Sequence, residues 1–427
     1  MERTINFNNS IEKLKIPADH FLMVLSPHDE EKEDNVLESL FEKSDTLASF
    51  DDFIRSARNL LVIVNDASRP TPTAEVLTFI YDRIRKLNPR FLIATGLHPA
   101  PDVQEIRSIF GELYYQINDS ITLHDSKNSD DLVDLGTSRH NTSLTVNKLV
   151  TEADKIITIG SIEPHYFAGY TGGRKSILPG VAGYDTIEQN HRHALHPNAR
   201  PLMLDNNPVH EDMLDMIDAL GVNRFFSIQT VMSRHHKTIY ASCGDIHDSF
   251  EKARLNTVQN FRVEVPTKVD IIMSIACPPF DESFYQSLKA IENTKNILNE
   301  NGIFILVTTA HKGIGPIHFA RLFENKTNLI TAAENALIHY RLGDHTAVNL
   351  KSITTWAELW CVTDKKNHKL ENAGIKLYSS IQRSIDEAIL KKGTASKIAI
   401  VEDGCFTVPI LENKEVDNHW QNRYLDN

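Results

Sequence analysis

Short, largely apolar runs, many of them followed by a stretch with helical spacing, recur along this 427-residue chain and constrain its fold more than any other feature. The runs lie at 60–64, 91–94, 155–159, 269–275, 303–307 and 397–401. They are too continuous for strands with one wet face and suit parallel strands covered on both sides. Helical patterns occupy 73–87, 185–194, 208–220, 246–261, 283–298 and 331–340. The alternation predicts an α/β chain with crossover connections. At this length two domains are expected, each a mostly parallel sheet with flanking helices, with the active site in the cleft between them. The polar stretch 263–268, broken by Pro266, marks the boundary. It assigns 1–264 plus 402–427 to an N-terminal domain and 265–401 to a C-terminal one.

Composition narrows the function classes. With 41% hydrophobic and 24% charged residues the chain is globular rather than disordered. A net charge of −12 argues against nucleic acid or a membrane surface as the main partner. No apolar run approaches the ~20 residues of a membrane helix, and the opening Met1-Glu-Arg-Thr-Ile-Asn6 lacks the apolar core of a secretory signal. Cys243, Cys277, Cys361 and Cys405 show no CxxC spacing, which excludes a zinc ribbon and fits a reducing cytoplasm.

In open α/β sheets chemistry gathers in the loops at the carboxyl ends of strands, and three such loops carry unusual residues. Asn65 to Pro72 follows the first buried run. Thr71 suits a helix N-cap and Pro72 the first helical turn, so Arg69 beside that terminus makes an anion site, with Asp66 placed to orient it. The plainer reading is a capped turn with a surface ion pair. Thr95-Gly-Leu-His98-Pro follows the next run and holds His98 on a stiff turn, as a general acid/base requires; an exposed loop histidine is the bland alternative. The third segment, 160–183, carries Gly160, Gly169, Gly172, Gly173, Gly180 and Gly183, six of the chain's 18 glycines. Such backbone lets a ligand approach closely. Among these glycines stand His165, Arg174 and Lys175, with His191, His193 and His196 following. A flexible, solvated loop seldom interleaves Tyr, Phe, Ile and Leu so regularly with glycine.

Several chemistries lack their signatures. The histidines do not form HExxH, no GxSxG nucleophile elbow occurs, and neither a Walker A loop nor GxGxxG is present. What remains is a cofactor held at Lys175, a metal or proton-transfer role for histidines, and a carboxylate held by Arg69.

The segments Asp66-Ala-Ser-Arg69-Pro-Thr-Pro, Thr95-Gly-Leu-His98, His165-Tyr-Phe-Ala-Gly-Tyr-Thr-Gly-Gly-Arg-Lys175-Ser-Ile-Leu-Pro-Gly and Gln189-Asn-His191 together resemble the nickel-pincer nucleotide-dependent lactate racemase family. The likeness continues at Asn207-Pro-Val-His-Glu-Asp-Met213 and Phe284-Tyr-Gln-Ser-Leu-Lys289. It implies that the N-terminal domain binds a nickel-bearing pyridinium mononucleotide, tethered covalently to Lys175, with His191 as the protein ligand to nickel. Asp66, Arg69, Thr71, Gly172, Gly173 and Arg174 are the implied cofactor contacts. Arg69, Tyr285, Gln286 and Lys289 are the implied substrate contacts, and His98 and His165 the two proton-transfer groups. The implied reaction racemises a small 2-hydroxy acid by hydride transfer through a 2-keto acid. Enzymes that make the cofactor act upstream.

His193 and His196 are so near His191 that the ligand assignment rests on the family match alone. Phe167 is expected near the substrate side chain and Trp360 in the core, while Trp356 fits either place. His124, His140, His311 and His318 read as surface or structural. Competing readings are an epimerase of a larger hydroxy acid or a sugar, a dehydrogenase-like or lyase enzyme, and a silent binding protein. The last would have lost at least one of Lys175, His191, His98 or His165, and all four are present.

Overall fold

The strand nearest the start of either main sheet, β1 (Phe21–Leu25), pairs with residues at the far end of the chain rather than with its neighbours. The computed structural model describes residues 2–7, 10–17, 20–28 and 35–412. The chain forms two units, Asp29–Asn260 and a second made of Met1–His28 with Phe261–Asn427.

In the first unit, β2 (Leu60–Asn65), β3 (Arg90–Ala94), β4 (Ile121–Leu123), β5 (Lys155–Ser161), β6 (Phe225–Met232) and β7 (Thr238–Gly244) form one sheet in the order β7-β6-β5-β2-β3-β4. All neighbours are parallel except β6 and β7. Its core joins Val62, Val64, Phe91, Ile157 and Ile228 to Leu77 and Ile80 of helix α1 (Thr73–Ile84). Three more helices matter for the site: α2 (Tyr184–Arg192), α3 (Pro208–Leu220) and α4 (Ile246–Phe261).

In the second unit, β8 (Val269–Ile275), β9 (Leu298–Val307), β10 (Glu358–Val362), β11 (Lys376–Tyr378) and β12 (Lys397–Val401) join β1 in the order β11-β10-β9-β8-β12-β1, all parallel. Helix α5 (Phe284–Thr294) follows β8. Trp360, expected in the core, is 1% exposed; Trp356 is half-buried at the end of helix Asp344–Trp356.

The boundaries differ from those expected. Residues up to 28 join the second unit because β1 hydrogen-bonds to β12. The described part of 402–427 does so too, since Val408–Leu411 pairs with Arg262–Val265; the remainder lies outside the described residues. Strand β6 has no counterpart among the expected elements. Every residue in it is buried, but Ser227, Gln229 and Thr230 break its apolar run, so its sequence does not read as a buried strand.

Each sheet reverses its strand order once. In the first unit the chain steps outward from β2 through β3 to β4, then returns to the other side at β5. In the second, β12 returns to the far side of β8. At such a reversal the following loops diverge to opposite faces and leave a crevice, where ligands of open α/β sheets bind.

Candidate active site

At the β2/β5 reversal the loops after the two strands are tied together. The Arg69 guanidinium donates from Nη1 to Glu163 Oε1 at 2.6 Å. Thr71 Oγ1 accepts from Asn65 Nδ2 at 2.8 Å and donates to Ser161 Oγ at 3.0 Å. The expected N-cap at Thr71 is therefore not formed. Its hydroxyl is engaged across the reversal, and α1 begins at Thr73 with Pro72 in the cap position and no side-chain cap. Nor is Asp66 the ion-pair partner of Arg69. Its Oδ2 lies 2.6 Å from His98 Nδ1, and its Oδ1 accepts from Ser68 Oγ at 2.6 Å and Ser68 N at 3.2 Å. Burial alone would raise the Asp66 carboxyl. The hydrogen bond and charge of His98, helped by Ser68 and Arg69, outweigh it and hold the carboxyl below its ordinary value.

His98 is fixed from behind as well. Its turn closes through His98 N to Thr95 O at 2.9 Å, and Thr95 Oγ1 donates to His124 O at 2.6 Å. Gly96, at φ +54°, donates its N–H to Gly180 O at 2.9 Å, which docks the turn onto the end of the glycine-rich segment. His124 is buried and structural, with Nε2 donating to Ala182 O at 2.9 Å. The His98 ring itself is 46% exposed.

The glycine-rich segment is held from inside by Arg174, which is 2% exposed. Its Nε donates to His210 Nδ1 at 2.7 Å, and Nη2 donates to the Ala168 and Tyr170 carbonyls at 3.1 and 3.3 Å. Its planar head stacks 4.1 Å from the Phe250 ring of α4. Burial lowers its pKa to about 9, and burial with the charge of Arg174 lowers His210 on α3 to about 2, so His210 is a neutral acceptor. Arg174 is thus held on several sides by protein groups. Gly173 N donates to Gln229 Oε1 of β6 at 2.9 Å. Gly172 must be glycine twice over: φ is +75°, and a Cβ would stand 2.5 Å from Ile162 Cγ1.

This scaffold turns Phe167, 3% exposed, into a shared wall. The His165 and His191 rings lie 4.5 and 5.0 Å from it in edge-on contact, and Lys175 Nζ lies 5.6 Å from its centroid. Three residues singled out from sequence are therefore brought to one ring. Of the neighbouring histidines, His193 turns to Asp212 Oδ2 at 3.3 Å and Thr142 Oγ1 at 3.2 Å. His196 Nδ1 accepts from Asn198 N at 3.2 Å. His165 Nδ1 accepts from the backbone N–H groups of Ala168 at 3.2 Å and Phe167 at 3.5 Å. The neutral ring then carries its proton on Nε2, whereas His98, with Nδ1 against a carboxylate, carries it on Nδ1.

Tyr285, Gln286 and Lys289 belong to the other unit, on the first turns of α5. Ser283 caps that helix by accepting from Gln286 N at 3.3 Å, and Lys289 Nζ sits 3.5 Å from the Phe280 ring centroid. Glu163, Gln229 and His210 were not found from sequence. Glu163 had a local signal, two residues before His165 in the glycine-rich segment, and His210 stands within the family-like segment Asn207–Met213; Gln229 had none.

Residues 7–201 match the lactate racemase N-terminal domain, and residues 264–408 the lactate racemase C-terminal domain. The chain is 31% identical to a lactate racemase from Thermoanaerobacterium thermosaccharolyticum over 87% of its own length and 89% of the relative's. It is 28% identical to one from Lactiplantibacillus plantarum over 83% and 85% of the two chains. The structure of the lactate racemase apoprotein from T. thermosaccharolyticum superposes with a TM-score of 0.87 at 27% identity, covering 96% of this chain and all of that one. A Thermotoga maritima protein shares the fold at a TM-score of 0.69 and 15% identity, covering 90% of this chain and all of that one.

Proposed function

Because the chain belongs to the lactate racemase family, we propose that it racemises lactate or a closely related small 2-hydroxy acid. The observation that carries this reading is the pairing at adjacent strand ends: Asp66 holds His98 and Glu163 holds Arg69, each at 2.6 Å. An imidazole and a guanidinium are thereby each anchored by a carboxylate on strand-end loops, which supports their reading as a proton-transfer group and a carboxylate-binding cation.

The residues fit the nickel-pincer nucleotide that the family resemblance implies. Ser176 Oγ, next to Lys175, and Asn190 Oδ1, next to His191, are buried with no hydrogen-bond partner among the described residues. Unsatisfied polar atoms thus stand in both segments, Ser176 Oγ in the glycine-rich loop and Asn190 Oδ1 on α2. Among the described residues no three histidine, cysteine or acidic side chains are set to hold a metal by themselves. A metal at His191 would take its other donors from the nucleotide, and sulfur with imidazole is a sensible set for nickel. In this reading Lys175 would tether the nucleotide, and Gly172, Gly173 and Thr71 would be further contacts to it. Asp66 serves His98, and Arg174 shapes the loop from within. Bound there, the group supplies a reversible hydride acceptor.

The remaining work falls to this chain's own side chains. His98, its Nδ1 proton held by Asp66, presents Nε2 to take a hydroxyl proton. His165 serves the hydroxyl in its opposite orientation: as an imidazolium it gives up one proton and is left as the neutral ring. Arg69 orients the carboxylate. Asp66 also stabilises the imidazolium that His98 becomes.

The test uses protein made in cells that synthesise the cofactor, supplied with single-enantiomer hydroxy acids, their amides and simple sugars, and followed by chiral chromatography. A 2-hydroxy monocarboxylate should reach an equal mixture while its amide stays unchanged, because a bidentate arginine contact needs the anion. Intact-mass analysis should show an adduct that Lys175→Ala lacks. Equal turnover of neutral analogues, or turnover of sugars alone, would replace this reading with a sugar epimerase on the same scaffold.

A further inference from the structure

Glu163 has no assigned role, yet its surroundings are unusually fixed. It is 5% exposed. Its backbone N–H donates to Thr171 Oγ1 and its carbonyl accepts from Thr171 N, both at 2.9 Å. Its carboxylate therefore stands on an immobile frame. A guanidinium has five N–H donors, and the Arg69 side chain gives one of its nitrogens to Glu163 and makes no other hydrogen bond within the described residues. A two-point clamp would close the fork; this one-point contact leaves most of its donors available on a side chain still 21% exposed.

We propose that Glu163 is a positioning residue for the substrate: it aims the open edge of Arg69 at the incoming carboxylate and tempers its charge so that the carboxylate also leaves. The proposal rests on the reading above, in which Arg69 binds the substrate carboxylate. Two arguments support it. Without an anchor, a long arginine side chain sweeps many rotamers, and fixing it upon binding costs affinity. With its charge undiminished, the same arginine would hold product as firmly as substrate, and in a reaction that interconverts mirror images every gain in substrate binding is matched at release. Glu163 also lies two residues before His165, so one short segment sets both the carboxylate holder and a proton-transfer group.

Glu163→Gln and Glu163→Ala separate the two parts of the role. In Gln the side-chain oxygen still accepts from Arg69 Nη1 but the countercharge is gone; in Ala both are lost. On cofactor-loaded enzyme, Glu163→Gln should lower KM for both enantiomers by about 3- to 10-fold, while Glu163→Ala should raise it by about 10-fold or more. Calorimetric binding of the same hydroxy acid to unloaded full-length protein should move in the same two directions. Because the equilibrium constant of racemisation is one, kcat/KM must change equally for the two enantiomers. A merely structural Glu163 would lower the melting temperature and the active fraction with KM unchanged in both variants. That outcome, or a KM shift of the same sign in both, overturns the proposal. Wild-type protein that neither binds nor turns over any hydroxy acid overturns the functional reading as well; active wild type with unmoved variants overturns only the role of Glu163.

Discussion

At the β2/β5 reversal, ionisable side chains hold one another: Asp66 and His98, Glu163 and Arg69, His210 and Arg174. At the β8/β12 reversal of the other sheet, neutral side chains hold backbone instead. Asn293 of α5 donates to the Gly404 and Cys405 carbonyls at 3.2 and 2.8 Å, Ser287 donates to Phe280 O at 3.0 Å, and Thr309 donates to Asp281 O at 2.9 Å. The same topology thus carries two kinds of polar network. The first places groups that can exchange protons and bind anions, and its strength depends on their charge. The second sets the shape of loops mainly through neutral donors to carbonyls, with the Asp281 carboxylate accepting from Thr309 Oγ1 at 2.9 Å as its ionisable member.

The largest test of this contrast is Arg174→Met. It leaves His210 Nδ1 and two carbonyls buried without their donor, and removing one partner from such a network costs about 3–5 kcal/mol. Chemical denaturation followed by a probe in the first unit measures it. A loss below about 1 kcal/mol would show that the network is decorative.

Acid comes next. The folded His210 takes a proton only near pH 2, against an ordinary value of 6.5, so the unfolded chain binds a proton that the folded one refuses. Its contribution is complete above about pH 6.5 and falls by about 1.4 kcal/mol per pH unit below it. In the second unit burial lowers His345 only to about 4, which narrows its window to 6.5–4. Below pH 4 the first unit should therefore go on losing stability from this source after the second has stopped. Amide exchange resolved by unit, measured from pH 7 to pH 3, checks this; parallel losses throughout would break the comparison.

The smallest expected effect is that of Asn293→Ala. Two carbonyls lose a neutral donor, for about 1–2 kcal/mol with no added dependence on pH. A pH-dependent loss in thermal melts would place an ionisable group at contacts read here as neutral.

Much of this was legible in the residues, and for a local reason. Buried strands such as 60–64 and 303–307 announce themselves because both faces of a parallel strand are apolar. The glycines of 160–183 did so because a backbone at positive φ, as at Gly172, tolerates little else. Strand β6 was hidden by Ser227, Gln229 and Thr230, polar residues buried in a strand that reads as amphipathic. Each has its partner elsewhere: Gln229 meets Gly173 N, Ser227 accepts from Thr158 Oγ1, and Thr230 donates to Gly160 O.

By itself, then, the sequence determined that this is a two-unit α/β chain, which strand-end loops gather its unusual residues, and which histidines, lysine and arginine stand in them. Those properties depend on neighbours within a few positions. Only the tertiary structure decided which carboxylate serves which cation. Asp66 is three residues from Arg69 and looks like its partner, but the return of β5 beside β2 brings Glu163 to Arg69 from 94 positions away and leaves Asp66 to His98. The same return of the chain decided that Arg174 faces inward to a neutral His210, and that β1 completes the second sheet. Strand order and register are settled by the packing of whole layers, and no local window of residues contains that information.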